Sequence, residues 1–460
     1  MDYDVAIIGA GMSGLAAGIR LAYFGKRVCI LERHYAYGGL NSYYKLGGRA
    51  FDVGLHAVTN YVPPGTPRAP LTKLLRQLRI SRDELDLRPQ RFSEIRFPGC
   101  RLRFSNDPEL LQAEVAAAFP SESDRFRAFV EELRAFDDTR LDQPDQSTRA
   151  VLRDRFPDPL LIEMLLCGPM YYGCAREHDM DFASFVTMFK SIFLEGFARP
   201  REGVRTIIRA LVRKFHANGG RIRMRCGVKT IVVEGGRVRE LVLDGGERIT
   251  ASVVLSSAGH LETMRLCGDE RLTGGAGPGR LSFVEAMAVL DELPHRLGHE
   301  ATIVFFNDGE SFTYEVPPVP VDLRSGVICC PSNYEGHEDM AEGLFRVTWL
   351  ANYDQWAVMD EATYVRTKEA YFENFLARAS ECVPEIRGHI VARDLFTPRT
   401  VEQYTGHVNG AVYGAPHKVR DGRTPIENLF LCGTDQGFLG ITGAMLSGIT
   451  IANMHVLEAE

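Results

Sequence analysis

The sequence has little that suits a metal site or a disulfide framework. Its ten cysteines include no CxxC pair and no Cys/His cluster with the spacing of metal ligands. Cys329 and Cys330 are adjacent, which suits neither zinc nor an easy disulfide. Scattered cysteines in a long chain are typical of reduced thiols. We therefore predict no bound metal and a cytoplasmic location.

The sequence also lacks a basic surplus and a long apolar run. Its formal net charge is −7, so a nucleic acid is not an expected partner. No stretch approaches about eighteen uninterrupted apolar residues, and a membrane-spanning helix is therefore not predicted. The first residues follow a strand pattern rather than that of a basic and apolar leader, so we expect no secretory signal.

No Ser/His/Asp set and no poised thiol stands out, so any redox chemistry is expected to come from a cofactor. The composition is that of an ordinary globular protein, with 45% hydrophobic and 25% charged residues. A length of 460 residues allows two or three domains and a substantial core.

The strongest positive signal spans residues 4–32. An apolar run, Val5–Ile8, leads into a turn of the form GxGxxG and a helical pattern of small residues. A second apolar run, Val28–Leu31, follows and ends on an acidic residue. Strand, tight turn, helix and parallel strand in this order are the dinucleotide-binding fingerprint. The fingerprint predicts an α/β protein with a Rossmann-type nucleotide-binding domain.

Each residue type in the fingerprint has a physical reason. Gly9 allows the tight turn, Gly11 lets a pyrophosphate approach the backbone, and Gly14 allows close packing of helix and strand. Glu32 is placed to accept hydrogen bonds from an adenosine ribose. Arg33 could clamp the 2′-phosphate of NADP, but the neighbouring carboxylate would repel that phosphate. NAD or FAD therefore remains.

Two glycine-rich turns favour FAD. The doublet Gly38-Gly39 follows the second strand. Flavoproteins place such a doublet where the loop after this strand passes the diphosphate and the flavin. Near the other end of the chain, an apolar strand leads into a turn over 433–444 and a final helix. This turn is a second anion-compatible site. We expect Asp435 to bond the ribityl chain while the last helix faces the flavin pyrimidine.

Changes in composition and periodicity along the sequence predict a discontinuous FAD-binding domain that is interrupted by two inserted segments, or excursions. The first excursion is a mostly helical insertion, and the second is a mixed β-sheet substrate domain that also carries a helix. The predicted ranges are 1–64, 200–274 and 425–460 for the FAD-binding domain, 65–199 for the insertion and 275–424 for the substrate domain.

The segment Leu160–Phe197 is rich in Leu, Met, Phe and Tyr and has few charges. One interpretation is a helical core. The other is that part of this surface lines a tunnel for an apolar substrate or makes peripheral contact with a membrane, because Met and Phe adapt to flexible apolar guests.

Two residues are candidates for catalysis. His56 follows the extended piece Phe51–Gly54, and it faces the cofactor or serves as a structural histidine. Tyr404 lies before the last turn and is the second candidate. At most, these side chains orient the substrate or shuttle a proton, since the flavin would be the redox centre.

With these motifs in view, the chain resembles the flavoprotein oxidoreductases that include bacterial-type phytoene desaturases, carotenoid isomerases and retinol saturases. The matched stretches are residues 4–39, Phe51–Gly54, 200–259, 397–414 and 433–444. Many members have Arg after the glycine doublet, whereas this chain has Leu40. The Gly-Leu-His that follows Val53 looks more like the saturase and isomerase branch.

The resemblance implies an FAD-binding role for a set of residues along the whole cofactor. The diphosphate would be held by Gly9, Gly11, Ser13 and Gly14, and the adenosine ribose by Glu32 beside Arg33. Gly39 and Leu40 would lie along the cofactor, and the backbone of Val228 would contact the adenine. The riboflavin end would be held by Gly433, Asp435, Ile441 and Thr442.

The favoured hypothesis is an FAD enzyme that adds, removes or relocates a C–C double bond in an apolar, isoprenoid or polyene substrate. A flavin amine oxidase is an alternative, although Tyr404 and Tyr413 come without the neighbouring Trp expected of an aromatic pair. A prenyl-group carrier of the Rab GDP-dissociation-inhibitor type is an alternative without catalysis. The intact fingerprint argues against this carrier, and bound flavin would discriminate the two.

Overall fold

The computed structural model describes residues 2–54, 56–66, 69–137, 140 and 142–458. Leu55, which belongs to the Gly-Leu-His stretch, lies outside the described residues. The strands are β1 (Tyr3–Ile8), β2 (Val28–Leu31), β3 (Tyr43–Leu46), β4 (Arg49–Asp52), β5 (Leu87–Pro89), β6 (Ser93–Phe97), β7 (Cys100–Phe104), β8 (Ala198–Pro200), β9 (Arg221–Arg223), β10 (Val228–Glu234), β11 (Arg237–Leu243), β12 (Arg248–Ile249), β13 (Ala251–Ser256), β14 (Ser282–Leu290), β15 (Ile303–Asn307), β16 (Ser325–Cys329), β17 (Gly343–Ala351), β18 (Ile390–Phe396) and β19 (Leu429–Leu431).

The helices carry most of the remaining regular structure. They are α1 (Met12–Tyr23), α2 (Pro70–Leu78), α3 (Pro108–Ala118), α4 (Ser123–Ala135), α5 (Thr148–Arg155), α6 (Pro159–Gly173), α7 (Phe182–Phe189), α8 (Val204–Ala217), α9 (His260–Leu266), α10 (Tyr353–Ala357), α11 (Glu361–Ser380), α12 (Ile386–His389), α13 (Pro398–Thr405) and α14 (Gly440–Ala452). Short π-helical turns, Lys190–Leu194 and Asn453–Leu457, extend α7 and α14.

A five-stranded parallel sheet in the order β19-β13-β1-β2-β9 forms the nucleotide-binding half. Residues 5–8 of β1 and all of β2 are buried, as expected of a parallel sheet covered on both faces. Helices α1, α8 and α14 pack on one face. The antiparallel ribbon β10-β11-β12 covers the other. Strands from three distant parts of the chain therefore share one sheet.

A seven-stranded mixed sheet in the order β18-β14-β17-β16-β15-β6-β7 forms the second half. Both faces of β14 are buried, because its alternate residues pack in two different cores. Val284, Ala286 and Ala288 share a core with α11, whereas Met287 and Val289 pack with Phe51 on the opposite face. The helices α3–α7 contribute to a third core with the far part of this sheet. The α/β class predicted from the sequence is confirmed.

The helical insertion and the second sheet are less separate than the predicted ranges imply. β6 pairs in parallel with β15, and β7 pairs with β6 at the sheet edge. A two-stranded ribbon buries too little surface to stand alone, so it completes its core by joining a neighbouring sheet. Residues 93–104 of the predicted insertion thus belong to the mixed sheet.

One stretch within the described residues, Gly440–Leu457, has the length and composition of a membrane span. However, 56% of it is buried inside the protein, and a buried core helix satisfies the same criteria. At Gly448 this helix lies against α1 so closely that a Cβ would be 2.0 Å from the carbonyl oxygen of Ser13. The helix is therefore packed backbone to backbone in the core.

Candidate functional site

A cleft opens where β1 and β2 end and α1 begins. Gly9 has φ +98°, and Gly14 lies so close beneath it that a Cβ would be 2.1 Å from the Gly9 carbonyl oxygen. A Cβ at Gly11 would meet nothing within 4 Å, so this position faces open space at the helix start. The three glycines thus have the geometry predicted for a turn that receives a pyrophosphate.

The structure brings most of the predicted cofactor residues to this cleft, which we call the dinucleotide cleft. Its volume is about 350 Å³. Predicted residues on its wall are Gly9, Gly11, Ser13, Glu32, Arg33, Gly39, Leu40, Val228 and Gly433. Residues that the sequence did not single out also line it, among them Ser257, Glu262, Arg265 and His407.

Glu32 is held at the end of β2 by two backbone N–H groups. Its Oε2 accepts a hydrogen bond from Ala10 N at 2.7 Å, and its Oε1 accepts one from His34 N at 2.8 Å. Only 8% of the residue is exposed. Each carboxylate oxygen keeps a second lone pair, so a ribose hydroxyl can still donate to it.

The carboxylate of Asp435 accepts two hydrogen bonds within the protein, and its contact with the ribityl chain stays a prediction. Its Oδ1 accepts from Ala415 N at 2.7 Å, and its Oδ2 accepts from His260 N at 2.6 Å. The carboxylate therefore joins two loops behind the cleft. Thr434, one residue earlier, faces the cleft instead. The turn after β19 thus brings Gly433 and Thr434 to the cleft, and a shift of a single position changes which side chain reaches it.

The start of α14 divides the two remaining predicted residues. Ile441 lines a second cavity, described next. Thr442 points away from it, and its Oγ1 donates to the carbonyl oxygen of Thr59 at 3.3 Å. The structure therefore gives Thr442 a contact within the protein, and the contacts of Ile441 and Thr442 with the riboflavin end stay predictions.

The second cavity, about 150 Å³ in volume, continues from the dinucleotide cleft. We call it the aromatic cavity. The two share Leu40, Asn41, Thr434 and Ala444 on their common wall. The aromatic residues that give it its character are Tyr171, Tyr172, Phe283, Phe396, Tyr413 and Phe438. Such a lining is typical of a binding site for an apolar group.

His56 lines the aromatic cavity, next to two residues of the mixed sheet. Its Nε2 lies 3.0 Å from Thr348 Oγ1 and 3.5 Å from Glu285 Oε1. Burial lowers the pKa of the His56 imidazole below its usual value, although Glu285 acts in the opposite direction. The histidine is therefore uncharged near neutral pH and sits beside a carboxylate.

Glu285 was not found from the sequence. Burial would raise the pKa of its carboxyl, but Arg346 and His56 outweigh burial and lower that pKa to about 2. Arg346 forms a buried ion pair with it. The available signal was one carboxylate in an otherwise apolar strand, Phe283–Leu290. An acidic residue in such a strand requires a partner or a function.

Tyr404 is separated from the aromatic cavity. It is 45% exposed, lines the dinucleotide cleft and makes an edge contact with the ring of His34 at 5.0 Å between centroids. α13 presents Tyr404 at the wall of the dinucleotide cleft, and its catalytic role stays a prediction. Tyr413, nine residues later in the chain, lines the aromatic cavity.

The apolar segment Leu160–Phe197 is largely core. All the Met, Phe, Tyr, Leu and Ile residues named by its hydrophobic pattern are buried or half-buried. Tyr171 and Tyr172 reach the wall of the aromatic cavity. Their apolar side chains pack in one core with the mixed sheet, which supports the interpretation of a helical core, while contact with a membrane stays a prediction.

Comparison with known proteins gives a consistent family and fold. The family model for flavin containing amine oxidoreductase matches residues 12–454. The all-trans-retinol 13,14-reductase of Danio rerio is 24% identical over 546 aligned positions, which span 100% of this chain and 87% of the reductase. The chloroplastic prolycopene isomerase of Daucus carota is 21% identical, with 98% of this chain and 80% of the isomerase covered.

The same fold is present among solved structures. An oxidoreductase from Methanosarcina mazei superposes with a TM-score of 0.68 at 18% identity. The superposition covers 97% of this chain and 99% of that one. At this level of identity, the likeness supports the fold, with a nucleotide-binding sheet joined to a large mixed sheet.

Proposed function

Because the chain belongs to the flavin containing amine oxidoreductase family, we propose that it binds FAD and adds, removes or relocates a C–C double bond in an apolar substrate. One observation carries this proposal. The dinucleotide cleft runs into the aromatic cavity at Leu40, Asn41 and Thr434. A dinucleotide in the cleft would thus have its reactive ring beside a site for an apolar group.

The residues of the cleft fit FAD. The open position at Gly11 and the free start of α1 suit a diphosphate, since no side chain caps that helix. Glu32 suits the adenosine ribose, and we assign Val228, on the wall of the same cleft, to the adenine. The cleft wall also includes Ser13, Gly39 and Gly433. When bound, the flavin supplies hydride exchange at its N5 atom.

The chain's own residues supply orientation and exclusion of water. Tyr171, Phe283 and Tyr413 form a wall on which an unsaturated chain can lie, and aromatic rings favour such apolar contact. His56 is the group in this cavity that we assign to moving a proton. Its lowered pKa keeps it neutral and able to accept one.

The substrate class follows from the cavity and the relatives. The named relatives act on retinol and prolycopene, which supports an isoprenoid or polyene substrate. A cavity of about 150 Å³ holds a group the size of benzene, so we propose that only a short part of a long substrate enters it. The ten cysteines are free thiols, which supports a cytoplasmic location.

Amine oxidation is the second candidate, since short aromatic sites also suit amines. A charged amine would need a carboxylate to anchor it, and Glu285 is the carboxylate on the wall of the aromatic cavity. That carboxylate is already paired with Arg346 and lies beside His56. The site therefore favours an uncharged substrate.

The test is anaerobic mixing of the holoenzyme with two panels, one of polyenes and one of amines. Oxidised and chemically reduced forms are both examined, and flavin absorbance reports electron transfer. We expect polyenes to reduce the oxidised form or to oxidise the reduced form. Flavin reduction by amines alone would overturn the proposal in favour of the second candidate.

A first prediction concerns cofactor retention. Glu32→Ala removes the carboxylate that we assign to the adenosine ribose, and a hydrogen bond to a charged group contributes about 1.5–3 kcal/mol. We expect FAD affinity to fall about tenfold or more, measured by titrating apoprotein with FAD and following quenching of flavin fluorescence. Glu234→Ala, on the exposed end of β10, is the control. Equal affinity in the two variants would contradict the assignment.

A further inference from the structure

We propose that Glu285, held in place by Arg346, is a positioning residue that orients His56 in the aromatic cavity and stabilises its imidazolium form. This inference rests on the proposed function for the reaction that it serves. The arrangement joins three residues from two strands and one loop.

The ion pair is built into the centre of the mixed sheet. Glu285 lies directly opposite Thr348 where β14 pairs with β17, and Arg346 is two residues earlier on the same face of β17. Glu285 is 1% exposed and Arg346 is 0% exposed. Neither side chain has room to turn away, so the carboxylate is fixed toward the cavity.

His56 is held from two sides. Its ring Nε2 lies 3.0 Å from the Thr348 hydroxyl and 3.5 Å from Glu285. Its backbone carbonyl oxygen accepts hydrogen bonds from the Tyr334 hydroxyl at 3.0 Å and from Arg199 at 3.4 Å. The backbone is thereby fixed, and the ring meets the carboxylate in one orientation.

Several charged and titratable groups surround His56, and they act on its pKa in opposite directions. Burial, Arg346 and Arg199 lower the pKa of the imidazole, whereas Glu285 raises it. Arg199 is itself paired with Asp52. The remaining titratable groups are the phenol of Tyr334 and the thiol of Cys329, which contacts the His56 carbonyl oxygen at 3.8 Å. Glu285 is thus the group that favours a protonated His56.

The reaction uses this arrangement to balance charge. Bound FAD would supply hydride exchange at one carbon of the double bond that forms, and the His56 imidazole would accept the proton that the adjacent carbon loses. The electron pair of that second C–H bond would become the new π bond. In the direction of reduction, His56 would return the proton and bound FAD would supply the hydride. Glu285 stays ionised and compensates the positive charge on His56 in either direction.

The test is an NMR titration of the histidines in the holoenzyme, labelled with ¹³C in the imidazole ring. His56→Gln identifies the His56 resonance by its loss. We expect Glu285→Gln to lower the titration midpoint of His56 by about one unit or more, because an adjacent opposite charge is removed. Glu342→Gln, which breaks a surface ion pair with Arg49, is the matched control. An unchanged midpoint in Glu285→Gln would overturn the proposal.

A second variant covers the case in which Glu285→Gln does not fold. Glu285→Gln combined with Arg346→Met removes both charges, and His56 should still titrate at a lower pH than in the natural protein. The rate of a single turnover is then followed against pH, and its inflection should move with the NMR midpoint. A moved midpoint with an unmoved inflection would refute the positioning role. Absence of turnover with any polyene would count against the proposed function, while the titration still decides the role of Glu285.

Discussion

Arg346→Met is expected to lower the free energy of unfolding by about 3–5 kcal/mol, because it leaves the Glu285 carboxylate buried without its partner. The two residues are among the least exposed charged groups that the structure describes. Removing one ion of such a buried pair costs more folding stability than replacing both ions with neutral side chains. Urea denaturation of the holoenzyme, followed by circular dichroism, measures the loss.

The double variant Glu285→Gln with Arg346→Met is the control for this prediction. Neutral side chains of similar size replace both ions, so much of the lost stability should return. A double variant as unstable as Arg346→Met would contradict the account, because the loss would then come from packing.

The pH dependence of stability gives an independent check. The pKa of Glu285 falls from about 4.3 in an unfolded chain to about 2 in the folded protein. Its contribution is therefore complete above about pH 4.3 and is lost as the pH falls through about 2. The natural protein should lose more stability than the double variant across this acid range.

Gly448→Ala is expected to cost about 3 kcal/mol of unfolding free energy and to reduce FAD binding. The added Cβ would lie 2.0 Å from the carbonyl oxygen of Ser13 and 2.9 Å from the backbone nitrogen of Ala17. Both are backbone atoms, so no side-chain rotation relieves the overlap and α14 must move away from α1. The shift also moves Ser447, whose hydroxyl accepts a hydrogen bond from Gly433 N at the cleft.

Gly388→Ala is the matched control for this substitution. Gly388 also lies in a helix, α12, but a Cβ there would meet nothing within 4 Å. It should keep natural stability and natural FAD affinity in the same denaturation and fluorescence titration. Similar losses in both variants would show that helical alanine itself, rather than the contact with α1, is responsible.

The fingerprint was predictable from sequence because its requirements are local. Gly9 needs a positive φ, Gly14 needs close packing and Glu32 needs to end a strand, and all of these conditions lie within one stretch of the chain. The α/β class followed from the same stretch. The turn after β19 was harder, because the sequence does not state which of Thr434 and Asp435 faces the cleft.

His56 was a candidate from the sequence, but its partners in the cavity could not be predicted, for a physical reason. His56 meets Glu285 and Thr348 through the pairing of β14 with β17 and through the docking of the loop after β4 on that sheet. Such contacts depend on register, which a pattern of hydrophobic residues does not specify between distant strands. The position of Tyr404 on the wall of the dinucleotide cleft likewise depends on how α13 packs, which the sequence pattern does not specify.

The strand order of the nucleotide-binding sheet has a consequence during synthesis. β1 leaves the ribosome before its neighbour β13, which follows about 240 positions later, a delay on the order of tens of seconds. β19, on the far side of β13, comes later still. Until then the apolar faces of β1 and α1 lack their cover, so the nascent chain should depend on chaperones. Cofactor capture should follow the synthesis of β19.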